Sequence, residues 1–183
     1  LATPPYVRIS RMIRDISATD ILVGNKHTNL RQMVEQELAT EDVANRVQEI
    51  RFREINQQQV RAAELTLQDF VYTTAVSDEH FLQWVTADNK IAGFCRLSLP
   101  HWDKLTTGAC DVTANELLVQ PGQAMIRELH VYGQALSLGS EGMSAQHQGL
   151  GQKLLAKASS IAAEAGYTSL NVISSIGTRA YYR

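Results

Sequence analysis

Between residues 124 and 173 a strand-like run, a glycine-bearing turn, a strongly periodic helix and a second strand-like run follow one another. No other feature constrains the fold as much. From Gly149 onward, Leu150, Leu154, Ala158, Ile161, Ala162 and Ala165 recur on one helical face, and Gly166 stands where the helix should stop. The flanking runs, 124–132 and 168–173, read as strands. In this order the elements make an α/β unit.

Upstream the period changes. Residues 68–76 and 80–86, rich in Phe, Tyr, Val, Thr and Trp, predict two strands, and Asp88-Asn89-Lys90 turns the chain into a third at 91–99. Strands joined so closely form an antiparallel meander, which makes the whole sheet mixed and mainly antiparallel. A helix is expected over Asn29 to Leu38, with Asn29 as cap, Gln32 three residues later, and Leu30, Met33, Val34 and Leu38 as its apolar stripe. The polar stretch 101–115 and the Gly- and Ser-rich stretch 133–145 read as loops. Pro4-Pro5 favours an extended start. The expected architecture is α/β (α+β), a mixed and mainly antiparallel sheet flanked by helices at 61–183, behind a basic linker arm and helix at 1–60.

Composition narrows the function classes. With 183 residues, 44% hydrophobic and 20% charged, the chain can bury one sizeable core and is neither disordered nor collagen-like. A net charge of -2 and a pI near 6.2 argue against adhesion of the whole chain to nucleic acid or acidic lipid. The charge is nevertheless uneven: residues 1–31 carry Arg8, Arg11, Arg14, Lys26 and Arg31 against Asp15 and Asp20. No apolar run reaches the ~20 residues of a membrane span and the N-terminus lacks a signal-peptide pattern, so a cytoplasmic protein without a membrane partner is expected. Cys95, inside an apolar run, reads as core, and Cys110 has no assigned role. His27, His80 and His101 show no metal-ligand spacing, so no metal site is assigned.

Two places can carry chemistry. In Gln146-His147-Gln148-Gly149-Leu150-Gly151-Gln152-Lys153 two glycines open a helix whose first N–H groups have no intrahelical partner. The helix dipole and the missing Cβ atoms suit an approaching pyrophosphate, although an ordinary loop-to-helix transition would look the same. His147 reads as a surface residue, and Lys153 is either a phosphate contact or solvated. Glu128 and His130 share side-chain parity on one strand, so both can point into a cleft and either can serve as a general base; the alternative is a core-facing, hydrogen-bonded role.

Gln-x-x-Gly-x-Gly between a strand and an amphipathic helix resembles the acetyl-CoA loop of GNAT-type N-acetyltransferases. Three blocks in order sharpen the resemblance: Arg127 to Gly133, Gln146 to Gly151, and Val172 to Arg183 with its Thr178-Arg179-Ala180-Tyr181-Tyr182. They are similar to the acetyltransferase domain of the catalytic subunit of Elongator. The N-terminal Arg8-x-x-Arg11-x-x-Arg14-Asp15-Ile16, Asn29-Leu30-Arg31 and Ile50 to Ile55 resemble the segment joining that family's radical S-adenosylmethionine domain to its acetyltransferase domain. The resemblance is strongest over 125–183 and patchy over 60–120. It departs at Ser175, where relatives usually carry glycine, and at Ala44, Val47 and Phe52, near which they often carry cysteine.

The resemblance implies a C-terminal fragment, truncated before its last strands, of an enzyme that carboxymethylates the wobble uridine of tRNA at C5. Its own cofactor would be acetyl-CoA, and its partial reaction tRNA-stimulated thioester cleavage. S-adenosylmethionine and a [4Fe-4S] cluster would belong to the missing radical domain, itself a partner beside tRNA. Assembly with Elongator-type subunits or self-association stays open. By the same resemblance Glu128, Leu129, His130 and Val131 line the pantetheine arm. Gln146, Gln148, Gly149, Leu150, Gly151, Gln152 and Lys153 hold the pyrophosphate, and Tyr181 and Tyr182 close over the thioester. Glu128, His130, Tyr181 and Tyr182 are then the catalytic candidates, and Arg8, Arg11, Arg14, Lys26 and Arg31 the tRNA contacts. Two other readings remain at this point, a protein lysine N-acetyltransferase and a tRNA or subunit docking module without catalysis.

Overall fold

The computed structural model describes residues 2–10, 18–24, 26–27, 29–40, 46–56, 58–107, 120–132 and 149–182. These fall into two compact units, Leu1–Glu54 and Ile55–Arg183. Among the described residues no helix is long and apolar enough to cross a membrane.

In the first unit the N-terminal segment begins with a turn rather than fully extended. Val7 N–H donates to the Pro4 carbonyl at 3.1 Å, with Pro5 supplying the preset φ of the second turn position. The chain then runs alongside 46–53. Ile50 N–H donates to the Val7 carbonyl, and Ile9 N–H donates to Glu49 Oε1 at 2.7 Å. Glu49, nearly buried, also accepts from Phe52 N–H at 2.8 Å and so caps the short helix α2 (Ile50–Arg53). Helix α1 (Leu30–Thr40) forms where the sequence predicts it, with Leu30, Val34 and Leu38 half-buried and Met33 exposed.

The second unit is built on a five-stranded sheet in the order β1 (Thr66–Thr73), β2 (Ser77–Val85), β3 (Ile91–Pro100), β4 (Gln123–Val131), β5 (Ser169–Val172). The first four pair antiparallel in sequence order, and β5 pairs parallel to β4. A parallel neighbour requires a crossover, here helix α4 (Leu150–Glu164). Leu154, Ala158 and Ala162 of α4 pack on Leu82, Cys95, Leu97, Leu99, Ala124 and Ile126 of the sheet. The two alanines let the helix lie close. On the opposite face Phe81 and Phe94 are buried with ring centroids 5.3 Å apart, and the Arg96 guanidinium lies over both rings.

Two further expectations are corrected. The stretch expected to be a loop from His101 contains a five-residue helix, α3 (Trp102–Thr106); residues 108–115 lie outside the described residues. Thr106 and Thr107 hydroxyls donate back to the Trp102 and Asp103 carbonyls, a local closure that no apolar period announces. Ala165, assigned to the buried stripe of α4, is exposed because the helix has ended there; Gly166 follows at φ +87°.

Candidate functional site

The register of β4 with β5 runs from Gln123↔Ser169 to Ile126↔Val172 and stops, while β4 itself continues to Val131. Beyond Ile126 the two strands part. In the same place β4 is irregular on its other side: Arg96 faces Glu128 and Leu97 faces Ile126, so Arg127 is an extra residue, a β-bulge. The bulge changes which face each side chain takes. Ala124 and Ile126 lie in the α4-side core and Leu129 packs against it. Glu128 and His130 stand on the opposite face.

Beside β4, past the end of its pairing with β5, lies a cleft of about 690 Å³ lined by Leu129, Val131, Gly149, Gly151, Gln152, Thr178, Tyr181 and Tyr182. One wall is β4 and another is the first turn of α4. The first backbone donor inside that helix is Lys153 N–H, bonded to the Gly149 carbonyl, so the N–H groups of Leu150, Gly151 and Gln152 precede the helical ladder. Gly149, at φ +67°, is in the left-handed region, and a Cβ there would meet nothing within 4 Å. At Gly151 a Cβ would lie 3.5 Å from Val131 Cγ2 and would overlap the Tyr181 hydroxyl. This bare, donor-rich turn suits an anion brought close to the main chain.

The third wall is a 3-10 helix, Ile176–Tyr182. Its two tyrosines meet edge to face with centroids 5.2 Å apart. Partial burial pushes both phenols up, helped at Tyr181 by Tyr182 and at Tyr182 by the Cys95 thiol. Both therefore keep their protons, and remain donors, at neutral pH.

Leu129, Val131, Gly149, Gly151, Gln152, Tyr181 and Tyr182 are thus brought together as the sequence suggests. Thr178 joins them without having been singled out, although it lies in the Val172 to Arg183 block. Leu150 is different: its side chain is buried and it does not line the cleft. Lys153 is exposed and does not line the cleft. Gln146 and Gln148 lie outside the described residues.

Glu128 and His130 do share a face, but it is the one across the sheet from the cleft lined by Leu129 and Val131. Glu128 accepts from Arg96 Nε at 2.9 Å, and His130 stacks on Phe94 with centroids 5.9 Å apart and meets Tyr132 at a tilt with centroids 4.5 Å apart. Parity alone could not foresee this, because the bulge shifts it by one. Cys95 is buried, which pushes its thiol up to about 12. Cys110 lies outside the described residues. Among the described residues no three His, Cys, Asp or Glu side chains gather as a metal site.

The basic arm divides. Arg31 donates to the Ile9 carbonyl at 2.9 Å, to Glu49 at 3.2 Å, and pairs with Glu35 at 2.6 Å, so its charge is used within the unit. Arg53 is buried and donates to the Pro5 and Gln48 carbonyls; burial lowers its guanidinium to about 10 against the opposing pull of Glu49. Arg8 is more exposed, with a looser 3.5 Å pairing to Glu54, and Lys26 is exposed. Arg11 and Arg14 lie outside the described residues.

Comparison with known proteins adds to this geometry. No family model matches the chain. A protein named tRNA uridine(34) acetyltransferase from Dehalococcoides mccartyi strain CBDB1 is 40% identical over 185 residues, covering 98% of this chain and 38% of that protein. Elongator complex protein 3 of Danio rerio is 32% identical over 189 residues, 98% of this chain and 32% of its own length. The chain therefore spans well under half of these relatives. Among solved structures, archaeal Methanocaldococcus infernus Elp3 with an N-terminal deletion superposes with a TM-score of 0.75 at 28% identity, covering 100% of this chain and 42% of that one.

Proposed function

Because the chain belongs to the family of Elongator complex protein 3 and tRNA uridine(34) acetyltransferase, matching its C-terminal acetyltransferase domain, we propose that it binds acetyl-CoA and cleaves its thioester in response to tRNA. In the whole protein this would be the acetyl-supplying half of wobble-uridine C5 carboxymethylation, beside a radical S-adenosylmethionine domain. The observation that carries the reading is the cleft where β4 and β5 part, with the open first turn of α4 on one wall and two protonated tyrosines on another.

Acetyl-CoA supplies an acetyl group activated as a thioester. The chain's residues would hold and orient it. The N–H groups of Leu150, Gly151 and Gln152, reinforced by the α4 dipole, would receive the pyrophosphate, with Gly149 giving unobstructed approach; Gln146 and Gln148 would add contacts, and Lys153, exposed on α4 away from the cleft lining, would add charge. The β4 backbone from Glu128 to Val131, past the end of β5 pairing, would line the pantetheine arm as an added strand does. Leu129 and Val131 supply apolar contact. Tyr181 and Tyr182, which line the cleft, would donate a proton to the departing thiolate. Glu128 and His130 would act from the far face across the open edge of β4, His130 being the more exposed of the two. Arg8, Arg11, Arg14 and Lys26 would meet tRNA phosphates.

The test is release of free CoA thiol from acetyl-CoA with and without tRNA, with a lysine-rich peptide as the competing acceptor. Release stimulated by tRNA alone is expected. Peptide-dependent release would replace this reading with a lysine acetyltransferase, and cofactor binding without release under either condition would leave a docking module.

A further inference from the structure

Glu79 is a carboxylate that the cleft does not use, yet its side chain is only 4% exposed. Ser77 Oγ and Ser98 Oγ donate to its Oε1 at 2.7 and 2.6 Å, and Arg127 Nη1 donates to Oε2 at 3.3 Å. Ser98 faces Glu79 across the β2–β3 register, so the carboxylate sits between those strands and meets a guanidinium from β4. A buried carboxylate is costly unless its partners compensate it. Among the described residues the one cation that does so is the bulge residue itself.

Were the extra residue lost, β4 would slip by one against β3 beyond Ile126, and every residue from Glu128 to Val131 would exchange faces. The apolar pattern of β4 guards weakly against such a slip, since Leu129 and Val131 are only partly buried. We propose that Glu79 is a positioning residue: its carboxylate holds Arg127, pins the extra residue of β4 at that point, and so keeps Leu129 and Val131 toward the cleft and Glu128 and His130 away from it. The consequence for binding rests on the acetyl-CoA reading above; the consequence for the backbone does not.

Glu79→Gln removes the charge while retaining the shape, and Arg127→Gln removes the cation at a half-exposed position while keeping a hydrogen-bond donor there. Acetyl-CoA binding is measured by calorimetry, and amide exchange over 128–131 in the free chain by mass spectrometry, with α4 as internal reference. Each single substitution should weaken binding about tenfold, the double should lose no more than either single, and Arg127→Lys should recover part of the loss. Exchange over 128–131 should quicken while α4 stays protected. Additive binding losses, or wild-type protection over 128–131 in Arg127→Gln, would overturn the proposal. Should Glu79→Gln loosen the whole domain, Arg127→Gln decides alone. If the unmodified chain fails to bind acetyl-CoA, the cofactor reading falls and the exchange data still decide the role of Glu79.

Discussion

Gly151→Ala should separate folding from cofactor binding with a single methyl group. Gly151 is the second residue of α4, where alanine is preferred over glycine by about 1 kcal/mol. The new Cβ would stand 3.5 Å from Val131 Cγ2, an ordinary contact, and would overlap the Tyr181 hydroxyl. That hydroxyl is the tip of a half-exposed side chain on a 3-10 helix that buries no residue, so it can swing aside at a cost of about 1 kcal/mol. The two effects nearly cancel, and stability in urea should stay within about 1 kcal/mol of wild type. Binding has no such compensation. The methyl group holds pyrophosphate off the N–H groups of Gly151 and Gln152, and removing one charge-assisted hydrogen bond costs about 2 kcal/mol, or about thirtyfold in Kd. Calorimetric titration with acetyl-CoA reads this directly. Adding Tyr181→Phe removes the overlapped oxygen, so the double variant should be at least as stable as Gly151→Ala and still bind weakly. A folded Gly151→Ala chain with wild-type affinity would refute the placement of pyrophosphate at this turn. Restored affinity in the double variant would show that the displaced tyrosine, not the methyl group, obstructs the ligand.

Other consequences can be checked separately. Leu154→Ala empties a fully buried site between α4 and the sheet and should cost about 2–5 kcal/mol in urea denaturation; a loss under 1 kcal/mol would mean the helix is not packed as described. Cys95 keeps its proton in the folded chain up to about 12, whereas an unfolded thiol ionises from about 9. Stability should therefore fall with rising pH through that window by at most about 1.4 kcal/mol per unit, and the difference between wild type and Cys95→Ala isolates the effect. Equal slopes for the two proteins would rule it out. Neutralising Arg8 and Lys26 should flatten the dependence of tRNA affinity on salt by about one unit of slope for each phosphate no longer neutralised. Arg31→Gln should instead lower the stability of the first unit and leave the slope alone, because that guanidinium is engaged by Ile9, Glu35 and Glu49; a flatter slope in Arg31→Gln would return it to the interface.

Much of this molecule is legible in its sequence because the informative signals are local. The apolar stripe from Leu150 to Ala162, the glycine that ends α4 and the turn at Asp88-Asn89-Lys90 each report backbone geometry set by a few neighbouring residues. The first turn of α4 is legible for the same reason: missing Cβ atoms and unpaired N–H groups are properties of position, whatever packs against them. What escapes is contact between distant segments. Nothing in the composition of the arm says that Arg31 and Arg53 are engaged by carbonyls while Arg8 keeps a half-exposed guanidinium, because partners such as the Ile9 carbonyl, the Pro5 carbonyl and Glu54 lie 22 to 48 residues away.

The face taken by Glu128 and His130 shows the limit most sharply. A strand read at period 2 places Ile126, Glu128 and His130 together, and all three would then share the α4 side. One inserted residue at Arg127 breaks that equivalence, leaving Ile126 in the core, sending Leu129 and Val131 to the cleft and turning Glu128 toward Arg96. The signal for the insertion lies outside the strand, in Ser77, Glu79 and Ser98 on two neighbouring strands. A base acting from Glu128 or His130 must therefore reach the thioester across the free edge of β4. That edge is open only because β5 pairs no further than Val172, so the parting of two strands and the bulge beside it form one arrangement: the first makes room for a cofactor, and the second decides which side chains face it.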